Sequence, residues 1–244
     1  MKKKIITIIC LLLFVLTSFA QNRAVVYGKI INPSTRTLKI KYAQNIINGS
    51  EVVIETDLDF SGDYAVALEI SEPLPVTLIY GDKEMLLFLN PDSKLELNFD
   101  NKDFYNSMTF SGIGFNDNSF IHRYVQKFGM RDKFEEAIVF PSVSVPDSIF
   151  NKMNELSSDD FTMYVAQRQD AERRFYQNDS IQQDFTPGLK NYYESMITYK
   201  WASYLFAYAN LRSKRGEMIP DAFYIFLWDL EISNDEAMIN PNYG

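Results

Sequence analysis

Residues 84–99 read EMLLFLNPDSKLELNF, two short apolar segments separated by a turn. The first segment is continuously apolar from Met85 to Leu89, and Asn90-Pro91-Asp92 then supplies residues that favour turn dihedrals. In the second segment Leu95, Leu97 and Phe99 alternate with polar residues, the period of a strand with one buried and one wet face. The stretch therefore predicts two short β-strands.

The same texture extends in both directions from about Ala24 to Gly112. Turn residues recur roughly every ten positions and separate short apolar or alternating segments, a spacing typical of an all-β sandwich or barrel. The predicted strands are Ala24–Ile31, Thr37–Ala43, Glu51–Thr56, Tyr64–Ile70, Pro75–Tyr80, Glu84–Leu89, Lys94–Phe99 and Ser107–Phe110. We therefore expect residues 21–113 to form an antiparallel β-sandwich or open barrel of about eight strands.

After Gly114 the apolar residues recur at helical spacing. Thr186-Pro187 reads as a helix cap followed by proline at the first helical position, and Gly216 predicts the end of that helix near Arg215. Its aromatic residues occupy nearly every side, so we expect it at the centre of a bundle. Pro220-Asp221 predicts a further helix. The fold class is thus α+β, with an aromatic-rich helical domain over residues 114–244.

The first twenty residues predict a cleaved signal peptide. Three lysines precede an apolar stretch from Ile5 to Leu16, and Ser18-Phe19-Ala20 supplies a cleavage site. Cys10, the one cysteine of the chain, lies inside this segment, so a mature chain beginning after Ala20 has no thiol for redox or metal chemistry. We expect a secreted protein of the periplasm or cell envelope.

Charge argues against nucleic acid as a partner. The formal net charge is −8, and loss of the leader's lysines makes it more negative, so phosphate backbones are repelled. Residues after the leader contain no apolar stretch of membrane-spanning length, so we expect a mature chain that does not span a membrane.

No catalytic, cofactor or metal site is predicted. His122 has no sequence signature of a catalytic partner, Gly112-Ile113-Gly114 lacks the third glycine of a dinucleotide loop, and adjacent carboxylates such as Asp159-Asp160 are typical of helix caps. The aromatic residues Tyr193, Trp201, Tyr204 and Tyr208 could line a peptide or sugar groove, with core packing as the alternative.

Several segments together resemble one group of secreted bacterial proteins. They are Val26-Tyr27-Gly28-Lys29-Ile30, Phe60-Ser61-Gly62-Asp63-Tyr64, Phe110-Ser111-Gly112-Ile113-Gly114, Ile219–Tyr224, Asn234–Ala237 and Asn240–Tyr243. This layout is similar to the N-terminal region of thioredoxin-like thiol-disulfide oxidoreductases related to cytochrome-c maturation reductases. The resemblance spans nearly the whole mature chain, but the redox domain with its CxxC pair is absent from it.

The resemblance implies an accessory module that positions a C-terminal thioredoxin domain or its redox partner proteins. Asn240-Pro241 has the pattern of a helix cap followed by proline at the first helical position, but too few residues follow it to form a helix. This pattern predicts a chain that continues beyond Gly244. Thiol-disulfide oxidoreductase activity is then expected only if a CxxC domain follows. The alternatives are a free-standing cell-envelope binding or scaffold protein that recognises a peptide or glycan, and an enzyme acting through carboxylates alone.

Overall fold

The computed structural model describes residues 23–45, 50–128, 147–180, 182–231, 233–234 and 237. The predicted signal peptide, Cys10 and the Asn240-Pro241 signal lie outside the described residues. The chain divides into two compact units. The first, the sandwich unit, comprises the chain up to Lys41 and Val53–Phe115, and the second, the helical unit, comprises Tyr42–Val52 and the chain from Asn116 onward.

Eight strands form two four-stranded sheets in the described part of the chain. They are β1 (Arg23–Ile31), β2 (Thr37–Asn45), β3 (Ser50–Asp57), β4 (Asp63–Glu69), β5 (Leu74–Tyr80), β6 (Lys83–Leu89), β7 (Lys94–Asp100) and β8 (Thr109–Ile113). One sheet has the order β4-β1-β7-β8 and the other the order β3-β2-β5-β6. The α+β class, with about eight strands before the helices, is confirmed.

One strand pair is parallel. β1 pairs with β4 and β7 pairs with β8 in antiparallel fashion, but β1 and β7 run in the same direction, with Val26 opposite Leu95 and Ile30 opposite Phe99. Parallel neighbours need a long connection. Here that connection passes through the second sheet, because β6 belongs to the second sheet and β7 to the first.

The two sheets pack their apolar faces against each other. Leu95, Leu97 and Phe99 of β7 are buried, as the alternation of the sequence predicts. The Tyr80 ring of β5 meets the Phe99 ring edge-on at a centroid distance of 5.8 Å, which joins the two sheets through their aromatic side chains. Two separate sheets with a shared core make the architecture a sandwich.

The turn before β4 is held by its own side chains. The Asp59 carboxylate accepts hydrogen bonds from the backbone N–H groups of Asp63 (2.9 Å) and Ser61 (2.8 Å), and these bonds lower its pKa. Gly62 has φ +85°, and a Cβ there would collide with the Ile30 carbonyl oxygen. The turn therefore requires glycine for both its dihedral and its close approach to β1.

Four α-helices follow in the described residues: α1 (Phe115–Phe128), α2 (Asp147–Glu155), α3 (Ser158–Gln177) and α4 (Pro187–Lys214). The predicted cap of α4 is confirmed, because the Thr186 hydroxyl accepts a hydrogen bond from the Leu189 N–H at 3.3 Å. The same hydroxyl donates to the buried carboxylate of Asp117 on α1 at 2.5 Å, and the Thr186 N–H donates to it at 3.1 Å. The start of α4 is thereby tied to α1.

The further helix predicted after α4 is present, but it is of the 3-10 type. Asp221–Asp229 is a 3-10 helix and not an α-helix. Phe223 is buried, but Ile225 is 67% exposed and Trp228 is 88% exposed. Apolar residues at nearly every position give this segment no single buried stripe, which removes the usual tertiary support for an α-helix.

Candidate functional site

The four aromatic residues predicted as a possible binding surface lie in the core of the helical unit. Tyr193, Trp201, Tyr204 and Tyr208 of α4 are all buried. The Tyr208 ring stacks on Phe161 of α3 at a centroid distance of 4.6 Å, and Trp201 meets Tyr204 edge-on at 5.2 Å. In this structure the rings contact other protein side chains.

The buried residues of α4 lie on every side of the helix, which explains why these four rings are buried. Helix α4 buries fourteen of its residues, among them Leu189, Met196 and Ala207. A helix that buries residues on every side lies at the centre of a core. The four rings are therefore part of the packing of that core.

A polar cluster is buried among these aromatic residues. Lys200 of α4 donates hydrogen bonds from Nζ to both carboxylate oxygens of Glu172 on α3, at 2.9 and 2.7 Å, and to the hydroxyl oxygen of Tyr124 on α1, at 2.8 Å. The Tyr124 hydroxyl in turn donates to Glu172 at 3.0 Å. Tyr193 donates to the Glu172 backbone carbonyl at 2.9 Å. One ionic centre thus joins three helices, and we call Tyr124, Glu172 and Lys200 the buried triad.

Burial dominates the electrostatics of the buried triad. It lowers the pKa of Lys200, although the Glu172 carboxylate opposes that shift. Burial also raises the pKa of Tyr124, and the charge of Glu172 raises it further. The Lys200 ammonium lies 4.8 Å from the centroid of the Trp201 ring. The attraction between the cation and this ring offsets part of the cost of burying the charge.

The chemistry of the buried triad is structural. Glu172 is only 1% exposed, and its carboxylate accepts bonds from both Lys200 and Tyr124. A nucleophilic lysine needs a neutral amine that can reach a substrate. The geometry instead satisfies a buried ion pair with additional hydrogen bonds, which is the condition for tolerating such a pair in a core.

Sequence reasoning missed the buried triad, although a signal was present. Glu172 lies at positions i+11 from Phe161, i+7 from Val165 and i−4 from Tyr176, in register with the buried stripe of α3. A carboxylate on an apolar stripe needs a buried cation, and that rule identifies Glu172 from the sequence. The rule does not identify Lys200 as its partner, because the pairing of α3 with α4 is tertiary.

The surface of the helical unit carries an open cleft of about 550 Å³. Helix α1, the C-terminal half of α3 and the turn after it supply the walls. The lining residues are Arg123, Lys127, Ala171, Arg174, Phe175, Asn178, Asp179 and Ser180. This volume lies in the range of small-molecule sites.

Charge in the cleft is opposite to that of the whole chain. The lining carries three cationic side chains and one carboxylate, whereas the chain has a formal net charge of −8. Arg123 donates to Asp179 at 2.5 Å, and Lys127 lies 4.8 Å from the centroid of the Phe175 ring. The sequence did not predict this site, because its residues come from two helices and a turn.

The other residues that the sequence offered as candidates do not line this cleft. His122 lies partly buried on α1, and Gly112 and Ile113 end β8, paired with Leu95 and Lys94. Asp160 lies in the first turn of α3, where its N–H donates to the Ser157 hydroxyl. Within the described ranges, no group of three or more His, Cys, Asp or Glu residues could hold a metal ion. No helix of the described residues is long and apolar enough to cross a bilayer.

Comparison with known proteins gives little further information. No protein-family model and no curated protein matches the chain. A solved structure described as a putative cell adhesion protein from Bacteroides ovatus ATCC 8483 is similar over 38% of this chain and 43% of its own, at 14% sequence identity and a TM-score of 0.25. The aligned part therefore spans less than half of either chain. A likeness of this size carries no argument about fold or function.

Proposed function

We propose that this chain is the non-catalytic N-terminal region of a secreted bacterial thioredoxin-like thiol-disulfide oxidoreductase. In this proposal it positions a redox domain, or a partner protein of that domain. The thiolate chemistry then belongs to a CxxC pair outside these residues.

An exposed apolar surface is the observation that carries the proposal. Met218, Ile225 and Trp228 are 94%, 67% and 88% exposed, and they lie within eleven residues of one another. Large apolar side chains concentrated in one exposed segment are typical of a surface that contacts another protein. This segment includes the residues that resemble the region preceding the redox domain in the oxidoreductase family.

The order of the structural units also supports the proposal. An eight-stranded sandwich precedes the aromatic helices, as the resemblance implies. The Phe60–Tyr64 segment forms a turn that is held by the hydrogen bond from the Ser61 N–H to the Asp59 carboxylate. At the end of this segment the Tyr64 hydroxyl donates to the Leu97 carbonyl at 2.8 Å. This segment, one of those that carry the resemblance, is therefore a structural determinant of the sandwich.

The proposal is tested by determining the coding sequence beyond Gly244 together with the mass of the native protein. We expect an in-frame CxxC within roughly 100–150 residues, the size of one further domain. We also expect a native mass that includes this domain and lacks the leader. A stop codon directly after the codon for Gly244 would contradict the proposal.

Trp228 provides a second test in the longer protein. The chain contains two tryptophans, of which Trp201 is buried and Trp228 is exposed. If the apolar surface contacts the redox domain, the emission of Trp228 shifts to shorter wavelength in the longer protein. The contribution of Trp228 is isolated by subtracting the spectrum of Trp228→Phe, and an unshifted contribution would count against this contact.

The cleft favours a second candidate function, a free-standing envelope protein that binds a ligand. A concave site with a few polar groups and an aromatic wall is the usual form of a small-ligand site. Ligand-observed NMR with peptide and glycan fragments tests this function. Fragments that bind the parent protein and not Arg174→Gln support it, and binding that the variant leaves unchanged argues against the cleft as the site.

A further inference from the structure

We infer that the cleft lined by Arg123, Lys127, Arg174 and Phe175 binds a small organic carboxylate. This inference concerns a site in the helical unit and is independent of whether a redox domain follows.

Two of the three cations are available to a ligand. Arg123 is held by Asp179, whose side chain is nearly buried. Lys127 lies over the rings of Phe175 and Phe128, at 4.8 and 5.5 Å from their centroids, and pairs with no carboxylate of the described residues. Arg174 reaches Asp170 only at 3.4 Å, and both side chains are largely exposed. Such an exposed pair is weak, so a ligand can compete for the guanidinium.

The available charge matches a carboxylate. A guanidinium fork and an ammonium group bind carboxylate oxygens through charge-assisted hydrogen bonds. The lining also contains the Asp179 carboxylate, which repels polyanions with many charges close together. The net acidity of the chain disfavours a large anionic polymer for the same reason.

The apolar wall requires that the anion carry carbon. Ala171 and Phe175 line the cleft together with the cationic groups. A bare inorganic anion leaves this surface in contact with water, whereas a carbon skeleton covers it. The amide of Asn178 and the hydroxyl of Ser180 add neutral hydrogen-bonding groups. A small carboxylate with an aliphatic skeleton uses every part of this lining.

The test is a titration of the isotope-labelled chain with glutarate, followed by amide NMR at constant ionic strength. We expect saturable shifts confined to the backbone around Arg123–Lys127 and Ala171–Ser180, with a dissociation constant below about 10 mM. Glutaramide, which has the same skeleton without charge, and inorganic phosphate serve as comparison probes. We expect at least roughly tenfold weaker binding of either, since one charge-assisted bond is worth about that factor.

Four variants, one of them a control, assign the binding to the cleft. Lys127→Gln and Arg174→Gln should each weaken glutarate binding by about tenfold. Arg173→Gln is the matched control, because Arg173 is the exposed neighbour of Arg174 on α3 and does not line the cleft. Asp170→Asn releases Arg174 from its ion pair and should strengthen binding by roughly twofold to fivefold.

The outcomes are decisive in either direction. Equal affinity for glutarate and glutaramide, equal effects of Arg173→Gln and Arg174→Gln, or no saturable shift would overturn the inference. Phosphate binding as tight as glutarate would show an inorganic anion site and would also overturn it. All variants change surface side chains, and their circular dichroism melts establish that each is folded. A stop codon after Gly244 would leave every one of these results unchanged.

Discussion

Replacing Glu172 with glutamine removes the counter-charge of Lys200, while the Lys200 side chain stays in the core. The carboxylate accepts two hydrogen bonds from Lys200 and one from Tyr124, so three charge-assisted bonds are lost or weakened. Breaking a buried ion pair from one side costs roughly 3–5 kcal/mol. The folded variant can escape part of this cost by releasing the Lys200 proton.

Release of that proton sets an upper limit on the loss. Deprotonating a lysine of ordinary pKa at pH 7 costs about 5 kcal/mol, from about 1.4 kcal/mol for each pH unit. We therefore expect Glu172→Gln to lose about 3–5 kcal/mol at pH 7. If Lys200 is neutral in the folded variant, the unfolded chain binds one more proton. The free energy of unfolding of the variant then rises by about 1.4 kcal/mol per pH unit between pH 7 and 9.

Urea denaturation followed by tryptophan fluorescence measures this effect in the helical unit alone, because that unit contains both tryptophans of the chain. Asp170→Asn is the control on the same helix, since its ion pair with Arg174 is exposed, and we expect it to lose less than about 1 kcal/mol. Adding Lys200→Met to Glu172→Gln should recover stability by removing the unpaired amine. Equal small losses in Glu172→Gln and Asp170→Asn would refute the reasoning.

Three further changes have defined outcomes. Gly62→Ala should destabilise the sandwich unit by more than the roughly 1–2 kcal/mol of a left-handed residue alone, measured by urea unfolding followed by circular dichroism. Thr186→Ala should cost the helical unit about 1–2 kcal/mol in fluorescence-detected unfolding, because it removes the cap of α4 and a hydrogen bond to Asp117. Stability should fall above pH 10, by about 1.4 kcal/mol per pH unit for each tyrosine whose pKa burial raises, including Tyr192, Tyr193 and Tyr204. The sign follows because the folded chain keeps phenol protons that the unfolded chain releases.

Each of these predictions has its own control. Gly81 has φ +63°, but a Cβ at that position would meet nothing within 4 Å, so Gly81→Ala should cost less than Gly62→Ala, and equal costs would contradict the collision with Ile30. Thr186→Ser keeps the hydroxyl and should lose less than Thr186→Ala. For the alkaline effect, tyrosinate absorbance that appears before unfolding would contradict retention of the buried phenol protons. The lowered pKa of Lys200 makes the free energy of unfolding rise with pH and so opposes this fall. It is a single group, whereas several tyrosines have a raised pKa.

The strands and the long helix could be predicted because their signals are local. The alternation from Leu95 to Phe99 and the Thr186-Pro187 cap each depend on neighbours in sequence, and both appear in the structure as expected. The 3-10 conformation of Asp221–Asp229 could not be predicted in this way. Its apolar residues predict a helix, but the choice between helix types depends on tertiary packing, such as the contact of the Phe223 ring with Tyr208 of α4.

The candidate sites were not predictable to the same degree. The aromatic residues of α4 form a concentrated group in the sequence, but the sequence alone leaves both a groove and a core open for them. The cleft depends on α1 and α3 placing Lys127 beside Phe175, and those residues are forty-eight positions apart. Charge composition averages over the whole chain, so it hides a small basic site on an acidic protein.

The parallel neighbours β1 and β7 have a consequence for the order of folding. β1 is an interior strand of its sheet, yet one of its two neighbours begins about seventy residues later, at Lys94. The sheet cannot close until that distant segment arrives, and closing so long a loop slows the search for the native topology. We therefore expect the sandwich to fold in milliseconds to seconds, with its amino-terminal strand unprotected against a competing strand until the chain has advanced to about residue 100.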